Sequence, residues 1–290
     1  MNLERFVRTA GELRALAVKV VKDGEEIARH EWEPVIRRNL YSASKSFTSA
    51  AVGIAQGEGL LSIDEKLTDA FADALPETVS ENLAKATVRD LLTMGVGHDQ
   101  AWLMGAQRAV LDEEDWVRFA LSRPFVHTPG TTFVYNNACT YLAGILVQQR
   151  AGCDLLSYLM PRLFKPLGIY RPTWETDPLG RTFGASGLML TIDELARFGQ
   201  LYLQNGSWNG RQLVPAAWVK ESTSVQIDNG SYGYGYQFWA GPHGSFRADG
   251  MYAQLSILMR DKNAVVTTVA ESRHADKLIE AVFEEIYPQL

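Results

Sequence analysis

Leu16-Ala-Val-Lys-Val-Val-Lys22 and Glu25-Glu-Ile-Ala-Arg-His-Glu-Trp32 are runs rich in β-branched and apolar residues on either side of Asp23-Gly24. That step supplies the positive φ angles of a tight turn, so the pattern predicts an antiparallel hairpin near the start of the chain. From Ser42 the period lengthens. Phe47, Ala50, Ala51 and Ile54 recur at spacings of three and four, predicting a helix to about Gln56 with Gly57 near its end. Between about 60 and 180 the apolar positions come in short groups separated by breakers. Thr87-Val-Arg-Asp90 reads as a capping box with Asp in place of Glu, Asp112–Leu121 as an amphipathic helix and Pro129-Gly130 as a turn. A helix over Tyr141–Arg150 should stop at Gly152, and Thr191-Ile-Asp-Glu194 should open another that ends at Asn205-Gly206.

Period-two and continuous apolar runs return at Tyr232–Trp239, Gln254–Met259 and Ala264–Ala270, with Asp261-Lys-Asn263 as the turn between the last two. A final amphipathic helix over His274–Tyr287 would carry Leu278, Ile279, Val282 and Ile286 on one stripe. Strands near both ends and helices between predict an α/β (α+β) fold, with an antiparallel sheet flanked by helices. In this reading residues 1–60 and 180–290 form the sheet domain and 60–180 a mostly helical subdomain. No internal repeat or low-complexity tract interrupts the pattern.

The composition is that of a folded chain, with 46% hydrophobic and 21% charged residues among 290. The net charge of −6 and the lack of any Lys/Arg run longer than two make nucleic acid an unsuitable partner. No stretch approaches the length of a membrane span, and Met1–Arg14 carries charges where a leader would need an apolar core, so a cytoplasmic location is expected. Cys139 and Cys153 cannot make a disulfide framework, and no His/Cys cluster has zinc spacing. No metal or organic cofactor is therefore expected.

The candidate chemistry starts at Ser42-Ala-Ser-Lys45. Three residues apart at a helix start, a hydroxyl and an amine share one face. A desolvated Lys loses its charge near neutral pH and can take the serine proton, while the helix start offers N–H groups to an oxyanion. Alone, the same four residues also read as a capped surface helix with a solvated Lys. Tyr135-Asn136-Asn137 precedes an apolar helix. It offers a phenol for proton transfer and an amide for positioning, or simply an aromatic anchor and an N-cap, with Asn137 serving both uses. Arg247-Ala-Asp-Gly-Met251 leads into the Gln254–Met259 strand, where a glycine permits close approach of backbone or ligand.

The ordered set (Ser-x-x-Lys after an N-terminal hairpin, Tyr-x-Asn after a helical stretch, then a glycine-containing strand) resembles the serine β-lactamase and penicillin-binding-protein superfamily. It is closest to class C β-lactamases and their esterase relatives. Asp90-Leu-Leu-Thr-Met94, Ser186–Asp193, Phe198–Tyr202 and Tyr234–Trp239 are similar to other stretches of that family. The resemblance implies the β-lactamase/transpeptidase-like fold, Ser42 as nucleophile, Lys45 as proton acceptor, Tyr135 as acid/base partner and Asn137 as orienting amide. It also implies an oxyanion hole from the N–H groups of Ser42 and Met251, with Ala248, Asp249 and Gly250 forming the third motif beside the substrate. The family usually has Lys or His and then Thr or Ser before that glycine. Ala248 and Asp249 depart from this, and a carboxylate there repels an acidic substrate. Arg247 or His243 would be the nearby cations that could restore the balance, although Arg247 should face away from Ala248.

Neutral esters, or amides bearing an amine, therefore fit better than β-lactams. The alternatives are a true β-lactamase or D-amino-acid peptidase, a non-catalytic ligand-binding relative, and a His-dependent hydrolase using His274. Trp102 is a candidate wall of the acyl pocket, and His98 and Asp99 lie on the loop expected near the site. The expected partner is a small-molecule ester, amide or lactam, and the oligomeric state is not legible.

Overall fold

The computed structural model describes all of Met1–Leu290. Helix α1 (Glu4–Glu12) precedes strands β1 (Ala15–Lys22) and β2 (Glu25–Glu31). Asp23 and Gly24, both at positive φ, make the hairpin turn that the sequence predicts. A short turn at Tyr41–Ala43 feeds α2 (Ser44–Gly57). After a stretch of short helices come α3 (Asn137–Ala151) and α4 (Ile192–Leu203), then strands β3 (Trp239–Ala240), β4 (Phe246–Gly250), β5 (Gln254–Met259) and β6 (Ala264–Ala270) and the helix α5 (Ala275–Ala281). The strands form one six-stranded antiparallel sheet in the order β2-β1-β6-β5-β4-β3, so the N-terminal hairpin is zipped to the C-terminal strands through β1 and β6.

Both faces of this sheet are covered, which explains why β5 and β6 are apolar or hydroxyl-bearing at nearly every position and buried throughout. One face carries α4, where Gly199 lets the helix approach the strands. A Cβ there would lie 2.3 Å from Ser256 Oγ. Behind it Phe47 of α2 stacks on Phe198 at 3.8 Å within a core of 61 buried residues that runs from Leu40 to Leu258. The other face carries α1, α5 and the turns that continue α5; their Phe6, Leu278 and Val282 meet Val18, Val20 and Ile257 in a second cluster. β2 forms one edge and is lined with charge: Arg29 pairs with Glu31 and with Asp193 of α4.

Several element boundaries differ from the sequence reading. Tyr232–Trp239 is not a strand; only Trp239–Ala240 pairs in the sheet, because Gly233 and Gln237 both sit at positive φ and break the extended run. The expected Asp112–Leu121 helix is shorter, Trp116–Leu121, with the Asp115 carboxylate capping it. The helix expected at Tyr141 starts earlier, at Asn137. The last helix changes to wider turns at Val282–Ile286. Helix α1 has no counterpart in the sequence reading. Arg247–Gly250 belongs to a strand of its own, β4, rather than to the entry of β5. The capping boxes at Thr87 and Thr191 are present, with Asp90 and Glu194 accepting from the cap N–H groups at 2.8 and 2.9 Å. No helix is long and apolar enough to cross a membrane.

Candidate active site

The turn that carries Ser42 is held by main-chain contacts. Tyr41 sits at φ 47°, a left-handed conformation that a non-glycine residue adopts at a cost, and its N–H donates to Asn39 Oδ1 at 2.7 Å. On the other side β4 presses directly against this turn. A Cβ on Gly250 would lie 2.1 Å from the Leu40 carbonyl oxygen and 3.1 Å from the Ala43 nitrogen, so only glycine allows the approach.

One turn on from Ser42, at the start of α2, Lys45 is 1% exposed. Its Nζ lies 3.1 Å from Ser42 Oγ, 2.6 Å from Asn137 Oδ1 and 2.7 Å from the Ala185 carbonyl oxygen. None of the three is a carboxylate, and Lys45 makes no salt bridge. Burial, and to a lesser degree the Arg108 guanidinium, therefore push its pKa down to about 7. A neutral amine has two N–H donors and one lone pair. The two oxygens of Asn137 and Ala185 take the donors, which leaves the lone pair for the Ser42 hydroxyl proton.

The two asparagines divide the work that the sequence left to Asn137 alone. Asn136 caps α3, its Oδ1 accepting from the N–H groups of Ala138 and Trp102 at 3.0 and 2.9 Å. Its amide nitrogen donates to His98 Nδ1 at 2.8 Å, and His98 Nε2 bonds the Ala120 carbonyl at 3.2 Å. This pattern requires a neutral His98, whose pKa burial lowers to about 4. Asn137 is thereby free to face Lys45, with its amide nitrogen fixed by a 3.0 Å bond to the Leu103 carbonyl. Tyr135 packs beside the pair, its ring 5.1 Å from Lys45 Nζ. Burial raises its phenol well above the ordinary value and the Ser42 hydroxyl offsets part of this, although the two hydroxyls form no well-aligned hydrogen bond.

Ser42 and Tyr135 open on a pocket of about 380 Å³ whose other walls are Met104, Trp239, Arg247, Asp249 and Met251. The Ser42 and Met251 N–H groups have no acceptor within the protein. Within β4 the pleat puts Arg247 and Asp249 on the pocket side, bonded Nε to Oδ2 at 2.7 Å, and turns Ala248 into the core at 1% exposure.

The family model for beta-lactamases matches residues 3–284. The chain belongs to the beta-lactamase family. This is a family of serine hydrolases. Among curated proteins, a D-aminopeptidase of Brucella anthropi is 30% identical over 187 residues, 58% of this chain but 34% of that relative. A monacolin J acid methylbutanoyltransferase of Aspergillus terreus is 28% identical over 155 residues, 47% of this chain and 37% of that protein. The match thus spans about a third of each curated relative. Among solved structures, a penicillin-binding protein homologue from Pyrococcus abyssi superposes with a TM-score of 0.79 at 19% identity, covering 99% of this chain and 77% of that one. This last likeness speaks for the fold.

Within this family member, Ser42, Lys45, Tyr135 and Asn137 come together as a contiguous group, with Gly250, Asp249 and Met251 on the facing strand. Expectations for five residues need correction. Ala248 packs in the core and does not face the pocket. Trp102 lies outside the pocket, its Nε1 donating to Asp99 Oδ1 and its ring between Phe119 and Arg123. His98 and Asp99 are likewise scaffold, and His243 stacks on Tyr287 at 4.3 Å rather than supplying a cation. The pocket residues the sequence reading missed are Met104 and Trp239. Trp239 and Arg247 are cross-strand partners, a pairing that a hairpin reading of Trp239–Arg247 would have exposed.

Proposed function

We propose that this protein is a serine hydrolase that acts on small ester or amide substrates through an acyl-enzyme on Ser42. The observation that carries the reading is Lys45: a buried amine, 3.1 Å from a serine hydroxyl, whose other partners are two neutral oxygens. Ser42 Oγ attacks the substrate carbonyl while its proton passes to neutral Lys45, and the developing oxyanion is received by the Ser42 and Met251 N–H groups. Collapse breaks the bond to the alcohol or amine. Tyr135, which lines the pocket with Ser42 and packs beside Lys45, relays the proton from Lys45 to that leaving group. Water, or another acyl acceptor, then repeats the sequence in reverse and frees Ser42. Asn137 orients Lys45 throughout, and Gly250 lets β4 close on the nucleophile's turn.

On substrate class, the Arg247–Asp249 pair leaves the pocket without a free cation to hold a carboxylate, which favours neutral or amine-bearing substrates over β-lactams. Similarity to the Brucella anthropi D-aminopeptidase supports an amine-bearing amide as the second choice. The test is intact-mass spectrometry after brief exposure to a fluorophosphonate, followed by peptide mapping. A single adduct on the peptide containing Ser42, absent from Ser42→Ala protein, is expected. No adduct on folded protein overturns the reading in favour of a non-catalytic relative, and an adduct elsewhere overturns it in favour of a hydrolase with a different nucleophile.

A further inference from the structure

A second hollow, of about 520 Å³, lies on the far side of the Trp239–Arg247 wall and shares those two residues with the Ser42 pocket. Its volume is in the range of a small-molecule site. Three aromatic rings line it: Trp239, Phe283 and Tyr232, the last of these 57% exposed on the loop before β3. Along its rim run Asp276, Glu280 and Glu284, spaced four residues apart and so on one flank of α5 and its continuation. None of these carboxylates has an ion-pair partner. The only cation in the wall, Arg247, is bonded to Asp249 and to the Ala240 carbonyl, so it does not neutralise them. Arg247 already lies over the Trp239 ring, 6.0 Å from its centroid, so it is the Tyr232 and Phe283 rings, beside carboxylates without ion-pair partners, that suit an organic cation with an apolar body and disfavour an anion.

We propose that this hollow is a second binding chamber, taking the cationic distal end of an extended ester or amide whose carbonyl lies at Ser42. The proposal rests on the acyl-enzyme reading for the position of that carbonyl, but not for the chamber itself. The test has two arms. In the first, Ser42→Ala protein is titrated with benzyltrimethylammonium at low ionic strength, following tryptophan fluorescence. The comparison protein adds Asp276→Asn, Glu280→Gln and Glu284→Gln, all exposed positions, with thermal unfolding as the check on folding. Saturable binding that weakens about tenfold in the triple variant and falls with added salt is expected. Equal affinity in the two proteins, or no binding, overturns the chamber.

In the second arm, protein with Ser42 intact is given acetate esters of trimethylammonio alcohols of increasing length, each beside its neutral tert-butyl isostere. A preference for the cation that peaks at one length and disappears in the triple variant is expected. Equal kcat/KM within every pair overturns the substrate assignment. Failure of the acyl-enzyme reading appears separately, as loss of fluorophosphonate labelling in protein that still binds the cation.

Discussion

Replacing Lys45 by Met removes the amine while keeping an unbranched side chain only one heavy atom shorter, and one buried titration should then vanish from two observables together. In the folded protein Lys45 titrates near 7; in the unfolded chain it returns to the ordinary 10.5. Between those values the unfolded state binds more protons than the folded state, so wild-type stability rises with pH relative to Lys45→Met. Above 10.5 both states are neutral and the burial penalty is gone; below about 7 it is fully present. A tenfold change in proton affinity is worth about 1.4 kcal/mol, so the stability difference between the two proteins should change by about 3 kcal/mol from about pH 6 to about pH 9. The sign of the difference at any one pH is set by a second contribution, since Asn137 Oδ1 and the Ala185 carbonyl lose their donor in the variant, at a cost of ~1–3 kcal/mol each. That cost is independent of pH and shared titrations cancel in the difference. The assay is urea unfolding of both proteins across this range, together with the kcat/KM profile of the wild type on a neutral ester. The profile should rise with a midpoint near 7, and Lys45→Met should be inactive throughout. Parallel stability curves, or an activity profile flat through neutrality, would refute the reasoning that Lys45 is a buried, uncompensated base.

Two further substitutions probe β4. Gly250→Ala places a methyl 2.1 Å from the Leu40 carbonyl oxygen, so either the strand or the Ser42 turn must give way; kcat/KM should fall on the order of 10²-fold with a smaller loss of thermal stability. Unchanged turnover would show that the strand is not pinned to the nucleophile's turn. Asp249→Asn removes the partner of Arg247 and leaves a guanidinium facing the Ser42 pocket. The kcat/KM ratio of a carboxylated ester to its matched neutral ester should rise roughly fivefold, in keeping with about 1 kcal/mol for a partly exposed ion pair. A ratio that stays constant or falls would mean that Arg247 does not address substrate.

The site residues are legible where local chemistry fixes them. Ser42 and Lys45 lie on one helical face by spacing alone, and Asp23-Gly24 dictates its own turn. What escapes depends on pairings distant in sequence. Asn136 and Asn137 have identical side chains, and which of them caps α3 is decided by His98, nearly forty residues earlier. The aromatic run at Tyr232–Trp239 has strand composition, yet the positive φ of Gly233 and Gln237 leaves only its end in the sheet. Trp102 resembles a pocket wall because it is a large ring on a loop; Arg123 and Phe119 claim that ring instead. Asp249 is legible as a charge beside the site, but its neutralisation by Arg247 follows from the pleat of β4, a strand that the local pattern does not announce. Helix α1 escapes because it is short and charged, burying only Phe6 and Ala10.

The pairing of β1 with β6, Ala15 opposite Ala270 and Lys22 opposite Ala264, bears on how the chain reaches its native state. The first hairpin is made early, but the neighbour that completes it, Ala264–Ala270, follows only after the whole helical middle of the chain. Until then one edge of β1, with Val18, Val20 and Val21, stays unsatisfied and sticky. Closing that contact encloses everything between Lys22 and Ala264 in a single loop, which slows the search far more than it penalises the final state. The sheet is therefore expected to close only once β6 has been made, and a nascent chain stalled before β6 would be the species most prone to aggregate.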